Sequence, residues 1–346
     1  MQRFYRKIID GMTQRGYAPE FAEAIFAQIQ GFGEYGFPES HAASFALLVY
    51  VSSWIKRHEP AAFLAALLNS QPMGFYSPSQ LVQDAQRHGV EVRPVDVLYS
   101  DVQTSLEELP LQPTVRLGLH MIAGLGAAAA GRIVAARAQQ PFDHAEDLAR
   151  RAGLDVHEMR VLAAADALMS LSGHRRQQVW DASARLAAPE LLREAPVDED
   201  VLELPAAPEG EEVVFDYASL GLTLRSHPLA LLRPKLAQRR LLTAAEMKEF
   251  PDGRLARACG IVTMRQQPST SNGVVFVTLE DETGMVNVIV WRSLREQQRR
   301  ELLHSRLLAV YGVWQRQGEI RHLIARRLHD LTPLLGRLAT ESRDFK

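Results

Sequence analysis

Two groups of residues in this 346-residue chain have types and spacing that could do chemistry, and both suit a phosphate better than a reaction. The first is "IAGLGAAAAGRI", residues 122–133, in which Gly124 and Gly126 flank Leu125. Glycines let a backbone turn tightly and approach a ligand closely. The helix expected through the alanines would offer unpaired N–H groups and the positive end of its dipole, a natural seat for a phosphate. Arg132 and Arg137 lie on that helix, and Arg116 precedes the turn. The string equally fits a glycine-stopped helix packed on another helix, because short Gly-x-Gly matches are common. The second group lies further on. Val275, Val277 and Leu279 alternate with Phe276 and Thr278, and Val286, Val288 and Val290 alternate with Asn287, Ile289 and Trp291. If the valines fill a core, Phe276 and Trp291 point outward, where aromatic rings stack bases while Arg265, Arg292 and Arg316 meet a sugar-phosphate backbone. The rings equally suit a cover for the sheet's end or for a neighbouring domain.

No catalytic centre is legible beside them. Asp198-Glu199-Asp200 sits among prolines, whereas paired metal ions need carboxylates on a rigid frame, so it reads as a solvated charge run. "LEDETG" at 279–284 is a turn between strands. His41, His58, His120 and His157 are scattered, without zinc spacing. There is no G-x-x-x-x-G-K-[ST] string and no nucleophile elbow. Site expectations therefore contain no catalytic residue, no metal ligand and no cofactor within the chain.

Elements must hold these groups in place. "MQRFYRKIIDGMTQRG" puts Phe4, Ile8, Ile9 and Met12 on one helix face, with no export signal, and reads as the middle of a helix in a piece of something longer. "GFGEYGFPESHAASFALLVYVSSWIKRHEP", residues 31–60, is apolar at its centre. Its apolar run, Ala42 to Ile55, is fourteen residues, where a membrane span needs about twenty. It is therefore expected as a helix buried in protein, N-capped by Ser40, with Pro60 opening the next helix. Residues 78–88 suit an amphipathic helix and 90–97 a short strand. From 187 to 216 ten acidic residues face one arginine, which predicts an acidic linker. Beyond 254, five strands with one helix after the third give the order of an OB-fold, a small Greek-key barrel. The formal net charge of −2 hides a segregation: residues 254–346 hold fifteen Lys and Arg against nine Asp and Glu. Only five of the 39 basic residues are lysine, so genome composition also accounts for the arginines. The single cysteine, Cys259, excludes an internal disulfide and suits a reducing, cytoplasmic setting.

Three strings carry a resemblance. The glycine turn resembles a helix-hairpin-helix, a module that grips the DNA backbone without reading sequence. "EYGFPESHAASFALLVY" (34–50), "ALLNSQPMGFYSPSQLVQDAQRHGVEVRPVDV" (66–97) and "LGLTLRSHPLALLRPKL" (220–236), followed by the barrel, resemble the C-terminal third of a bacterial C-family DNA polymerase. The likeness is to the error-prone, damage-inducible branch. Replicative relatives usually carry Lys where Glu39 stands, and a clamp-binding motif where the acidic linker lies. The alternatives are a stand-alone single-stranded-DNA-binding or adaptor protein, and the C-terminal region of a replicative polymerase III alpha subunit.

The resemblance implies a multidomain α+β chain: a helical fingers remnant (1–105), a helix-hairpin-helix module (106–186), the acidic linker (187–216), a helical connector (217–250), a C-terminal five-stranded OB-fold β-barrel (251–335) and a tail (336–346). It implies that Ser40 and His41 face a fingers cleft. It places the metal-binding aspartates, and the Mg2+ they hold, in a palm domain outside these residues, so that this chain binds DNA and catalyses nothing alone. The implied partners are DNA, as duplex and as single strand, and accessory proteins of a mutagenic translesion complex, with no membrane.

Overall fold

A computed structural model describes residues 2–34, 38–73, 76–108, 112–183, 203–268, 271–318, 320–338, 340 and 342–345, with backbone alone at 2–4, 30–34, 38–40, 343 and 345. Contacts divide the chain into two units, Met1–Phe63 and Leu64–Lys346.

The first unit holds α1 (Gln2–Thr13), α2 (Pro19–Glu34) and α3 (Pro38–His58). Tyr5 of α1 meets Phe26 of α2 edge to face at 4.9 Å. The expected burial of the apolar helix does not occur. Residues 41–54 of α3 are all exposed, Tyr50 by 70% and Leu47 by 65%. Its apolar side chains point all round the axis, so burying it takes neighbours on every side. In this unit α1 and α2 pack on each other instead. The helix also begins at Pro38, so Ser40 stands inside its first turn rather than before it. The Ser40 side chain lies outside the described residues, and His41 is exposed against the Phe45 ring at 4.5 Å. Among the described residues, no helix is long and apolar enough to cross a membrane.

In the second unit, α4 (Pro60–Asn69), which begins in the first, buries Leu64 and Leu68. Next comes α5 (Pro78–Arg87), opened by a Ser77–Gln80 capping box and burying Val82 and Ala85. Strands β1 (Val92–Arg93), β2 (Ser105–Glu107) and β3 (Thr114–Arg116) form a small sheet in the order β1-β3-β2. The sheet joins residues on both sides of the expected division at 105/106. A 3-10 turn at Leu119–Met121 then leads into α6 (Ala127–Gln139), α7 (Ala145–Arg151), α8 (Val156–Ala164), α9 (Met169–Ser172) and α10 (Arg175–Ser183). Their core is Leu119, Ile133, Leu148, Met159, Leu162 and Leu168, all fully buried.

The linker expectation is half corrected. Residues 184–202, with Asp198-Glu199-Asp200, lie outside the described residues. Its far part is helical: α11 (Glu209–Leu220) buries Val213 and also Glu212 and Asp216. Next come α12 (Pro228–Gln238) and α13 (Ala244–Glu249).

The barrel strands are β4 (Leu255–Gln266), β5 (Val275–Asp281), β6 (Gly284–Val290), β7 (Leu307–Gln317) and β8 (Ile320–Asp330). Period-two alternation places Val277, Leu279, Val286, Val288, Val290, Leu308 and Val310 in one core. The order β5-β6-β8-β7-β4, with β4 also paired to β5, closes the barrel. At the bulge in the β7–β8 pairing the backbones approach so closely that a β-carbon at Gly312 would collide with the Ile324 carbonyl oxygen. The expected helix after the third strand is two short ones, α14 (Arg292–Gln297) and α15 (Arg299–His304). Within the expected tail, β9 (Arg343–Phe345) pairs with β4 in parallel. The chain is a multidomain α+β fold with a helix-hairpin-helix region and a closed five-stranded barrel.

Candidate nucleic-acid interface

The glycine turn leaves the start of α6 uncovered, and of the arginines expected around it Arg132 alone is exposed. Gly124 has φ +86, a left-handed backbone that favours glycine. Gly126 is the N-cap of α6 at an ordinary φ of −72, with no side chain to satisfy the first N–H groups of the helix. Residues 123, 124 and 126–128 are exposed and Leu125 is half-buried. A β-carbon at Gly126 would meet nothing within 4 Å, so the fold does not require a glycine there. The Ala123 N–H donates to the Ser219 carbonyl at 2.8 Å, which fixes the turn against α11.

Of the two arginines assigned to DNA in this region, Arg116 is spent inside the fold, whereas Arg132 is exposed while also tied to its neighbours. Arg116 is 8% exposed: its guanidinium donates to Glu107 at 2.7 and 3.3 Å and to the Pro94 carbonyl at 3.0 Å. The Arg116 hydrogen bond holds the Glu107 carboxyl below its ordinary pKa, against the opposing pull of burial. Arg132 donates to the Ala152 carbonyl at 2.8 Å and to both carboxylate oxygens of Glu158 at 2.9 Å. It ties α6 to the turn before α8, whose own N-terminus Asp155 caps. Arg137 likewise donates to the Val97 and Ser100 carbonyls. A further exposed cation near the glycine turn is one the sequence reading missed. A β-carbon at Gly124 would lie 3.5 Å from Val161 of α8, and Arg160 next to it is exposed.

On the barrel, the outward face is partly as expected. Phe276 is half-buried and pairs with Ile289 across β5 and β6. Trp291 is 53% exposed, although it sits at the N-cap of α14 rather than on the strand. Arg265 is a correction. It is 5% exposed and donates to the Leu302 and Ser305 carbonyls, Ser342 and Asp344. It serves to hold β9 and the end of α15 against β4. Arg316 is exposed at the end of β7, and Arg292 is exposed beside Glu296 at 2.8 Å. That Arg292 hydrogen bond lowers the pKa of the Glu296 carboxyl.

Arg292 does not stand alone. With Arg295, Arg299, Glu296, Asn272 and Gly273 it lines a cavity of about 300 Å3 beside Trp291. Asn272 and Gly273 both have positive φ, and the Arg295 guanidinium donates to the Gly273 carbonyl at 3.3 Å. Three guanidinium groups against one carboxylate leave an excess of positive charge there. Arg295 and Arg299 were missed. The signal was present in "SLREQQRRELL", a helical string whose arginines fall three and seven residues after Arg292.

Between these places lies a joint built from "LRSHP". Arg225 meets Asp166 at 2.6 Å, and Glu212 and Asp216 at 3.3 Å. Arg175, 2% exposed, pairs with the same two acids of α11. Burial pushes the Asp166 and Glu212 carboxyls up, against the pull of Arg175 and Arg225. His227 caps α12 and lies 3.5 Å from the buried Glu280 of β5, which also accepts from Gln83 of α5 at 3.0 Å. Arg233 pairs with Glu282 and Asp281 in the β5–β6 turn, whose Asp281 accepts from Thr283 and Gly284. The turn expected in "LEDETG" is thus a docking point for the connector.

Residues 89–178 match a family model described as a helix-hairpin-helix motif, and residues 256–331 one described as an OB-fold nucleic acid binding domain. The chain is 59% identical over 352 aligned positions to an error-prone DNA polymerase of Burkholderia pseudomallei, covering 99% of this chain and 33% of that protein. An error-prone DNA polymerase of Ralstonia nicotianae is 60% identical, over 96% of this chain and 31% of its own length. That of Bordetella parapertussis is 56% identical, over 100% and 34%. The chain spans about a third of the length of these relatives.

Proposed function

We propose that the chain is a part of a bacterial error-prone DNA polymerase, about a third of whose length it matches, and that it holds DNA for an enzyme whose strand-extending chemistry is carried by other residues. In this reading the enzyme is a DNA-directed DNA polymerase of damage-induced translesion synthesis, acting in the cytoplasm with accessory proteins. The open N-terminus of α6, with Gly124, Leu125 and Gly126, grips duplex phosphates, and Arg160 adds charge. The barrel face takes single-stranded template. Phe276 and Trp291 stack bases, and Arg292, Arg295 and Arg299 take phosphates. Ser40 and His41 belong to a cleft completed by the rest of the enzyme.

The arginine cavity beside Trp291 carries the single-strand reading. Magnesium, implied by the family, finds no fitting residues here: among the described residues no three His, Cys, Asp or Glu side chains are placed to hold a metal ion, and Asp166, Glu212 and Asp216 are turned to arginines instead. The test is a titration of the chain with a single strand and a duplex at two salt concentrations. Single-strand affinity that falls steeply with salt, and that falls again in the double variant Arg295→Gln, Arg299→Gln, supports the reading. Binding of neither DNA at low salt would sink it and favour a protein-only adaptor.

A further inference from the structure

This inference extends the single-strand reading of the barrel and rests on it. The outward row of β6 runs Met285, Asn287, Ile289 and then Trp291, about 20 Å at ~3.4 Å per residue. The arginine cavity lies at the Trp291 end. At the Met285 end a second cavity, of about 400 Å3, opens between the starts of β6 and β8, the end of β7, and α13. Lys248, Met285, Asn287, Trp314, Arg321 and His322 line it, and among the described residues no carboxylate does.

Three nitrogens of its lining residues have no hydrogen-bond partner: Nε1 of Trp314, Nε of Arg321 and Nδ1 of His322. Trp314 is only 3% exposed, and native folds leave few such buried donors unpaired. The strand register adds an independent sign. Arg316 and Arg321 stand directly opposite each other on the β7–β8 ladder. Like charges so placed repel, and an anion between them removes the repulsion. The cavity thus offers cations for a phosphate, polar nitrogens and the Asn287 amide for a base edge, and exposed Met285 and Ile320 for a flat ring.

We propose that this cavity is a second anchor on the barrel, holding one nucleotide unit, a phosphate with its base, of a strand whose other phosphates lie in the arginine cavity. The two anchors make the face of β6 a track with fixed ends.

The full chain is titrated with octathymidylate, read by anisotropy and by the Trp314 indole N–H signal in nitrogen-edited NMR. The signal is assigned with Trp54→Phe, Trp180→Phe and Trp291→Phe. The expected result is a shift of that signal on saturation. The double variant Lys248→Gln, Arg321→Gln keeps the unliganded indole spectrum, binds at least about tenfold more weakly, and loses about 0.7 of salt slope per phosphate contact. Tight binding that leaves the Trp314 signal unmoved and the double variant unaffected overturns the proposal while the single-strand reading stands. Loss of all octathymidylate binding by the unsubstituted chain overturns both. Thymidine monophosphate is titrated alongside. If it alone moves the signal with comparable affinity, the ligand is a free nucleotide and the strand assignment falls.

Discussion

Gly124 and Gly126 are two residues apart and answer to different demands. Gly124 has its left-handed backbone because the turn needs it, so Gly124→Val should lower stability by about 1–2 kcal/mol or more, read by urea denaturation. Gly126 has an ordinary φ and open space at its β-carbon. Gly126→Val should cost under about 1 kcal/mol as a cap change. It should nonetheless weaken duplex binding uniformly across sequences, because the added methyl groups keep a phosphate from the helix end. A variant that binds duplex as before would remove the turn from the interface. Arg116 makes a different point. Its partner Glu107 has a depressed pKa in the folded state, so the pair contributes stability above the ordinary carboxylate range, near ~4.3, and loses it as pH falls through the lower folded value. Glu107→Gln should flatten that acid limb of a stability–pH profile, and an unchanged limb would show that the pair contributes nothing.

The helix α11 shows what an element hides from its own composition. Its acids looked too many to bury a face, yet Glu212 and Asp216 are buried because Arg175 and Arg225 reach them from other elements. Removing one side of such a network strands charge in the interior. Arg175→Met should therefore destabilise by about 3–5 kcal/mol in chemical denaturation, and a neutral result would contradict the burial seen here. The barrel strands were legible because their valines alternate with period two and turn residues separate them. The helix expected at 78–88 was legible from its amphipathic pattern. Which arginines face inward was not legible. Arg265 is covered by β9, seventy-eight to eighty residues later, and no local pattern announces that pairing. The three-arginine cavity stayed hidden because its floor comes from the Asn272–Gly273 turn, which the pairing of Val275 with Val290 across β5 and β6 brings to α14. The apolar run of α3 was read correctly as a helix and wrongly as buried, since hydropathy measures a need for neighbours and not their presence.

At the scale of the whole chain, the proposal predicts a division of labour. The purified chain with a primed template, all four nucleotides and Mg2+ should bind DNA and extend nothing. Incorporation that survives further purification would mean that its chemistry lies among these residues after all. Arg225 on Asp166, Glu212 and Asp216, His227 against Glu280, and Arg233 on Asp281 and Glu282 together form one joint. Because α5, α11, α12 and the β5–β6 turn are all fastened there, the proposed grips on paired DNA and on the unpaired strand would be tied to each other. The protein would then act as a ruler: the count of unpaired template bases bridging the two grips is set by its own rigid span, whatever damage those bases carry.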